Sequence, residues 1–318
     1  MKRYNLFFSV FIFLMAFFSC TPPLDMMDSP EYYFLYERDR FYADPLVFYD
    51  YDSLKPRLDI YLSIPAENIL FKKTGANGFY EMKLNISVSL TGTDSSASIL
   101  KNYDVLASYT EGEMKKISRE SRYYFYSYYV NPGKYRLEIK ISDNNAGKYY
   151  RKKNDLTVKN FSSDAYSCSD VMVLSNYNVS ENGRKDITPL VTNNISKLSD
   201  VNIFFEIYSG NETPASKELV FKIKDSKGKY IKEESADLVF ADSVNKFFRN
   251  VLSRSEFIKH KPEQTDFEEF DPEDRNFGTL LLEIWDKREN KIIASKKLSV
   301  LPDRSQRPQK MRREQGIH

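Results

Sequence analysis

Apolar and polar residues alternate at every second position through long stretches of this chain, and this pattern predicts β-strands. Between Phe79 and Leu90, six apolar residues alternate with five polar ones, as expected for a strand with one buried face. The same alternation recurs over 58–64 and 135–141. The first half of the chain should therefore fold as antiparallel β-structure.

Turn residues indicate how these strands connect. Asn131-Pro132-Gly133 separates the strands predicted over 123–130 and 134–142, so we expect the two to form a hairpin. A second turn over 144–147 leads into a strand that ends near Val158.

The second half repeats this plan. The strand–turn–strand unit over 280–301 matches the unit over 135–158, a repeat of about 130 residues, which is suitable for an antiparallel β-sandwich with a Greek-key connection. The predicted fold class is all-β, with two tandem antiparallel Ig-like β-sandwiches after a lipoprotein signal peptide. We expect the first sandwich over 45–160 and the second over 161–302.

The stretch 243–253 admits two interpretations. Its apolar residues fall at helical spacing after Asp242-Ser243, which is a plausible helix cap. The repeat places the same stretch opposite the strand over 122–129 and favours a strand. Both interpretations stay open on the sequence alone.

The N-terminus has the features of a lipoprotein signal. Lys2 and Arg3 precede an apolar run that ends at Ser19-Cys20, and the run is too short for a typical membrane-spanning helix. We expect residues 1–19 to be removed and Cys20 to carry acyl chains on its thiol and amine. The alternative is a membrane anchor with an incidental cysteine. Residues 20–44 would then form a lipidated tether with an aromatic cluster.

Composition excludes several classes of function. The 318 residues carry a formal charge of +2 and two His, which disfavours nucleic-acid binding and His-dependent catalysis. No nucleotide, zinc-protease or hydrolase motif is present, so we expect no enzyme and no cofactor. With Cys20 lipidated, Cys168 is the remaining thiol, and it lacks a nearby base. We interpret Cys168 as a shielded free thiol in a linker.

Two charged segments are conspicuous. The insertion over 259–276 has seven carboxylates between Glu263 and Asp274 without an intervening Lys or Arg. A solvated acidic loop is the favoured interpretation, and a site for a hard cation such as calcium is the alternative. The candidate ligands are Asp266, Glu268, Glu269 and Asp271. Residues 303–318 carry five Lys/Arg and two Asp/Glu and predict a basic disordered tail, or an arm that touches anionic lipid.

Aromatic residues provide the remaining indication of a binding site. The segment Tyr123–Tyr129 places aromatic rings on both faces of one strand, and a sandwich can bury only one of these faces. We expect a binding surface for a protein or a polysaccharide at Tyr124, Tyr126 and Tyr128. The alternative is that the aromatic cluster over 32–51 covers the outer face.

Several of these segments resemble one family. The lipobox start, Asp59–Pro65, the segment Asn131–Leu137 and Phe204–Tyr208 are similar to the N-terminal β-sandwich region of GWxTD domain-containing lipoproteins of Bacteroidetes-type bacteria, over about 45–301. The C-terminal GWxTD domain has no counterpart, because the single Trp is Trp285 inside a predicted strand. The resemblance implies tandem sandwiches and an outer-membrane lipoprotein, and it transfers no active-site residue. Thr21 after Cys20 agrees with that destination.

We therefore expect a non-enzymatic protein of the bacterial cell envelope. It would be held at the outer membrane by lipid on Cys20, face the periplasm, and serve as a structural or protein-interaction module. Another envelope protein is the expected partner. The alternative function is a glycan-binding lipoprotein that uses exposed Tyr and Phe faces.

Overall fold

A computed structural model describes the part of the chain that carries the predicted strands. The described residues are 40–74, 78–93, 98–161, 166–180, 185–209, 216–253, 255–256 and 279–300. Those from Phe41 onward belong to one compact unit, and their strands form antiparallel sheets, so the all-β sandwich prediction is confirmed. The signal, Cys20, the acidic insertion and the basic tail lie outside the described residues, and their roles stay predictions.

The first sandwich contains two sheets. Its strands are β1 (Tyr42–Asp50), β2 (Lys55–Pro65), β3 (Lys72–Thr74), β4 (Phe79–Gly92), β5 (Ser98–Tyr109), β6 (Ser121–Tyr129), β7 (Gly133–Asp143) and β8 (Lys148–Val158). One sheet has the order β1-β2-β6 and the other β3-β4-β7-β8, with β5 paired to β4. Helix α1 (Glu111–Ile117) connects β5 to β6. Thr110 caps its N-terminus, and the side chains of Thr110 and Glu113 form a reciprocal capping box.

The core of the first sandwich confirms the period-two pattern. Every second residue from Met82 to Leu90 in β4 is buried, and Leu58, Ile60 and Leu62 of β2 face them from the other sheet. The intervening polar residues stay at least partly exposed. Alternation along the sequence is therefore the direct cause of the two-layer arrangement.

The second sandwich also contains two sheets. Its strands are β9 (Tyr166–Cys168), β10 (Met172–Val179), β11 (Lys185–Pro189), β12 (Asp200–Ser209), β13 (Ser216–Lys224), β14 (Tyr230–Val239), β15 (Val244–Ser253), β16 (Thr279–Asp286) and β17 (Lys291–Ser299). One sheet has the order β11-β10-β12-β15, with β9 paired to β12, and the other β14-β13-β16-β17.

The strand order repeats between the two sandwiches. The order β14-β13-β16-β17 matches β5-β4-β7-β8, and β10-β12-β15 matches β1-β2-β6. The stretch 243–253 is a strand, as the repeat indicated. Its helix-like spacing arises because apolar rings lie on both faces: Phe247 stacks on Phe205 inside the core, whereas Phe248 contacts Phe204 on the outer face.

The predicted hairpin across Asn131-Pro132-Gly133 is wrong. Strand β6 pairs with β2, whereas β7 pairs with β4 and β8 in the opposite sheet. The three residues carry the chain from one sheet to the other, and the Val130 N–H still donates to the Pro56 carbonyl at 3.0 Å. Alternation determined which face of each strand is buried, but it did not determine the pairing partner.

Strand β1 joins the two sandwiches, and it begins at Tyr42, three residues before the predicted start of the first sandwich. Val47 packs in the first core, while Leu46 and Phe48 point to the opposite side. There they contact an apolar group of the second sandwich that consists of Met172, Leu174 and Phe204. We call this contact the joint.

The position of β1 in its sheet excludes, for the described residues, the alternative that the aromatic cluster covers the outer face of β6. Strand β1 lies at the opposite edge of its sheet from β6. Residues 42–50 of the aromatic cluster therefore do not cover the outer face of β6. No helix among the described residues has the length and apolarity needed to cross a membrane.

We predict that Leu84→Ala destabilises the protein by about 2–5 kcal/mol, because it removes a fully buried side chain from the first core. Leu106→Ala is the matched control: Leu106 lies on the neighbouring strand β5 and is 65% exposed, so its truncation should cost less than about 0.5 kcal/mol. Denaturant unfolding of both variants measures the difference. Equal losses would contradict the assigned strand faces.

Candidate binding surfaces on strand β6

Strand β6 is an edge strand with an aromatic residue at nearly every position. Among the described residues it pairs with β2 alone, so one side of its backbone has no strand partner. Residues with even numbers face the core, because Tyr124, Tyr126 and Tyr128 lie opposite the buried Leu62, Ile60 and Leu58. Cross-strand partners share one face of a sheet.

The predicted binding residues Tyr124, Tyr126 and Tyr128 therefore lie on the inner face, which corrects the sequence-based assignment. All three pack against the first core. Tyr126 stacks on Tyr103 of β5 with 4.2 Å between ring centroids, and the hydroxyls of Tyr103 and Tyr128 are 2.8 Å apart. Burial raises the pKa of Tyr124 and Tyr126 to about 12, so both hydroxyls are neutral at physiological pH.

The other face of β6 is exposed. Tyr123, Phe125 and Tyr129 are 65%, 53% and 54% exposed, and we call these three residues the aromatic strip. The Phe125 ring lies 4.9 Å from that of Tyr61 on β2, and the Tyr129 hydroxyl donates to Asp50 at 2.6 Å. Ser127 separates Phe125 from Tyr129 on this face, and the contacts with Tyr61 and Asp50 hold those two rings in place.

Sequence reasoning did not recognise that the even-numbered tyrosines of β6 face the core, although a signal was available. The buried residues of β2 are Leu58, Ile60 and Leu62, and a correct pairing of β2 with β6 would have placed the even-numbered tyrosines beside them. Because we predicted a hairpin of β6 with β7, the pairing of β6 with β2 was not predicted. The error in strand pairing therefore concealed that these tyrosines pack against the first core.

A groove lies between the edge strands β5 and β6, on the inner side of β6. It has a volume of ≈ 680 Å³ and is lined by Met82, Val105, Ala107, Tyr109, Glu120, Ser121, Arg122, Tyr123 and Tyr124. The Arg122 guanidinium lies 5.2 Å from the centre of the Tyr109 ring. Its Nε and Nη2 atoms are buried and have no hydrogen-bond acceptor.

A buried polar cluster surrounds Asp286 in the second sandwich. Its carboxylate accepts hydrogen bonds from Tyr166 and from Lys217 Nζ, the latter at 2.6 Å, and Lys217 also lies over the Tyr166 ring. Burial opposes ionisation of Asp286, but these hydrogen bonds outweigh it and lower the pKa to about 2. Each group is satisfied by the others, so the cluster is a structural ion pair.

The remaining candidate sites are distributed as follows. Asp266, Glu268, Glu269 and Asp271 lie outside the described residues, and so does Cys20. No group of three or more metal-ligating side chains occurs within the described ranges. Cys168 lies in strand β9 instead of a linker, and it is a buried free thiol as expected. Burial raises the pKa of Cys168 to about 12, which keeps the thiol protonated and unreactive.

The fold and these surfaces define an all-β protein of tandem sandwiches, and comparison with known proteins adds little to that class. No family model and no curated protein matches the chain. Among solved structures it is similar to a glycosyl hydrolase family 2 member from Bacteroides cellulosilyticus, with 9% identity, a TM-score of 0.28, and coverage of 76% of this chain and 26% of that one.

Bacterial alpha-2-macroglobulins also align with the chain. The trypsin-activated protein from Escherichia coli has 12% identity and a TM-score of 0.23, and a Salmonella mutant has 10% and 0.22; each alignment covers 84% of this chain and 17% of the other. The chain thus spans about a quarter or less of the length of these proteins. Likenesses at this level carry no functional argument, and the resemblance to GWxTD lipoproteins stays a prediction.

We predict that Asp286 makes stability depend on pH in the acid range. Its folded pKa of about 2 lies below the ordinary value of 3.8, so its contribution is complete above about pH 5 and disappears as pH falls towards 2. The contribution is about 2 kcal/mol. Asp286→Asn should lose that amount at pH 7 and show a flatter stability profile between pH 4 and pH 2. Chemical unfolding at stepped pH measures both, and parallel profiles would contradict the assignment.

Proposed function

We propose that this chain is a non-enzymatic, lipid-anchored protein of the bacterial cell envelope that acts as a structural or protein-interaction module. The observation that carries the proposal is the aromatic strip on β6. Aromatic side chains are enriched at the centres of protein interfaces, because each buries a large area at a small cost in conformational entropy. The lipobox ending at Cys20 supports attachment to a membrane.

The position of the strip suits recognition of a large partner. The strip lies on an edge strand of the sheet β1-β2-β6, and its rings project from a flat sheet face instead of a deep pocket. The contact between Phe125 and Tyr61 and the bond from Tyr129 to Asp50 hold rings in place before binding. Such preorganisation lowers the entropic cost of association.

We predict that the double variant Phe125→Ser/Tyr129→Ser weakens capture of an envelope partner by about tenfold, because it removes two exposed rings from the strip. The full chain is expressed in its host and cross-linked in intact cells. Tyr149→Ser is the matched control, since Tyr149 is 64% exposed on β8, outside the strip. The same partner should be recovered with wild type and with the control. A partner that is captured equally by all three proteins contradicts the proposal.

A second candidate function is glycan binding, and the paired rings of Phe125 and Tyr61 favour it. The exposed Phe125 ring lies 4.9 Å from the half-buried Tyr61, which packs against the joint and holds Phe125 where a sugar ring can stack on it. We propose it as the alternative use of the same strip.

We predict for this alternative that a panel of bacterial polysaccharides contains a ligand whose binding falls about tenfold in Phe125→Ala and is unchanged in Tyr149→Ala. Affinity electrophoresis gives the comparison directly. If no glycan in the panel retards the wild-type protein, the strip serves a protein partner instead.

A further inference from the structure

Arg122 has an unused pair of hydrogen-bond donors beside the groove between β5 and β6. Its Nε and Nη2 atoms are buried without an acceptor, and the ring of Tyr109 contacts the guanidinium. The nearby carboxylate of Glu120 forms no ion pair with it within the described part of the chain. A buried donor without an acceptor costs free energy, so an acceptor that reaches these atoms is strongly favoured.

Another arginine in the same sandwich shows which kind of acceptor the two nitrogens of Arg122 would match. Arg57 donates from Nε at 3.0 Å and from Nη2 at 2.9 Å to the two oxygens of Asp59. The unsatisfied atoms of Arg122 are the same two nitrogens. They form a fork that matches the two oxygens of a carboxylate. A carboxylate in side-on geometry is therefore the acceptor that these two nitrogens match.

The groove has a defined length along the strands. At one end, the connection through α1 joins β5 to β6, next to Ser121 and Arg122. At the other end, the stacked rings of Tyr103 and Tyr126 bring the two strands together. The open stretch of β6 covers 121–124, which matches about four residues of extended chain at about 3.3 Å each.

Both strands beside the groove have an unpaired edge. Among the described strands β5 pairs with β4 alone and β6 with β2 alone. On β5, the groove-lining residues Val105, Ala107 and Tyr109 alternate along the strand and provide an apolar wall. An extended peptide can pair its backbone with a free edge and place alternate side chains against such a wall.

We propose that the last residues of a partner protein add antiparallel to the open stretch of β6, with their C-terminal carboxylate bound by Arg122. The direction follows from the pairing. A strand antiparallel to β6 ends at the beginning of β6, where Arg122 lies and where the connection through α1 blocks further extension. The guanidinium turns into the groove that it lines and donates from Nε and Nη2. This inference rests on the proposed interaction function and names the part of the partner that is recognised.

The test uses an array of hexapeptides anchored through their N-termini, each present as a free acid and as a C-terminal amide. The full-length wild-type chain should bind its best peptides about tenfold more tightly as acids, since charged bidentate hydrogen bonds are lost in the amide. Arg122→Gln should abolish this preference. Arg119→Gln is the matched control, because it removes the same charge at an exposed position outside the groove lining and should leave the preference intact.

Two further measurements separate the site from general effects. Thermal unfolding of Arg122→Gln should remain cooperative, because the variant loses the contact with Tyr109 but no hydrogen bond. Hydrogen exchange with the best acid peptide bound should slow at those amides of 121–124 that point away from β2, which reports strand addition. Equal binding of acids and amides, an acid preference that survives Arg122→Gln, absence of binding, or absence of amide protection would each overturn the proposal.

The outcome is distinguishable from failure of the interaction function. A cross-linked partner that is lost in Phe125→Ser/Tyr129→Ser but retained in Arg122→Gln would support the interaction module and overturn the C-terminal site. Acid-selective binding on the array without any cross-linked partner would support the site and overturn the envelope interaction.

Discussion

The two sandwiches depend on strand β1, which contributes to two apolar groups at once. Val47 packs into the first core, and its neighbours Leu46 and Phe48 pack into the joint with the second sandwich. All three side chains are almost completely buried. Each such burial is worth about 1.5–3 kcal/mol, so the strand is stabilised from both faces. The arrangement of the second sandwich on the first follows from the position of this strand.

Polar contacts fix the register of that strand. The Val47 N–H donates to the Asp170 carboxylate at 2.8 Å, and the Val47 carbonyl accepts from the Asp170 N–H at 2.9 Å. Lys296 pairs with the buried Asp44 at 2.5 Å. A shift by one residue would exchange the two faces of β1 and break these bonds together. The buried charges therefore contribute specificity at the joint, because an unpaired partner would be costly there.

The sequence predicted the features that depend on local periodicity. Alternation from Phe79 to Leu90 identified β4 and its buried face, and the repeat correctly favoured a strand at 244–253 over its helical spacing. Strand pairing was harder to predict from the sequence. Asn131-Pro132-Gly133 has hairpin chemistry, yet the chain crosses between sheets there because β6 is bound to β2 and β7 to β4. Pairing depends on contacts distant in sequence, which a local pattern does not contain.

The two faces of β6 acquire different properties from the same architecture. The inner row is held by the first core and by Tyr103 of β5, so its rings serve stability. The outer row of β6 lies on the same face of the sheet as Leu46 and Phe48 of β1, which form the joint. Strand β1 is at the other edge of this sheet, and the joint leaves Phe125 of β6 exposed. The second sandwich could cover β6 only by losing its contacts with β1. Because β1 holds the joint, the second sandwich leaves the aromatic strip and the outer edge of β6 uncovered within the described part of the chain.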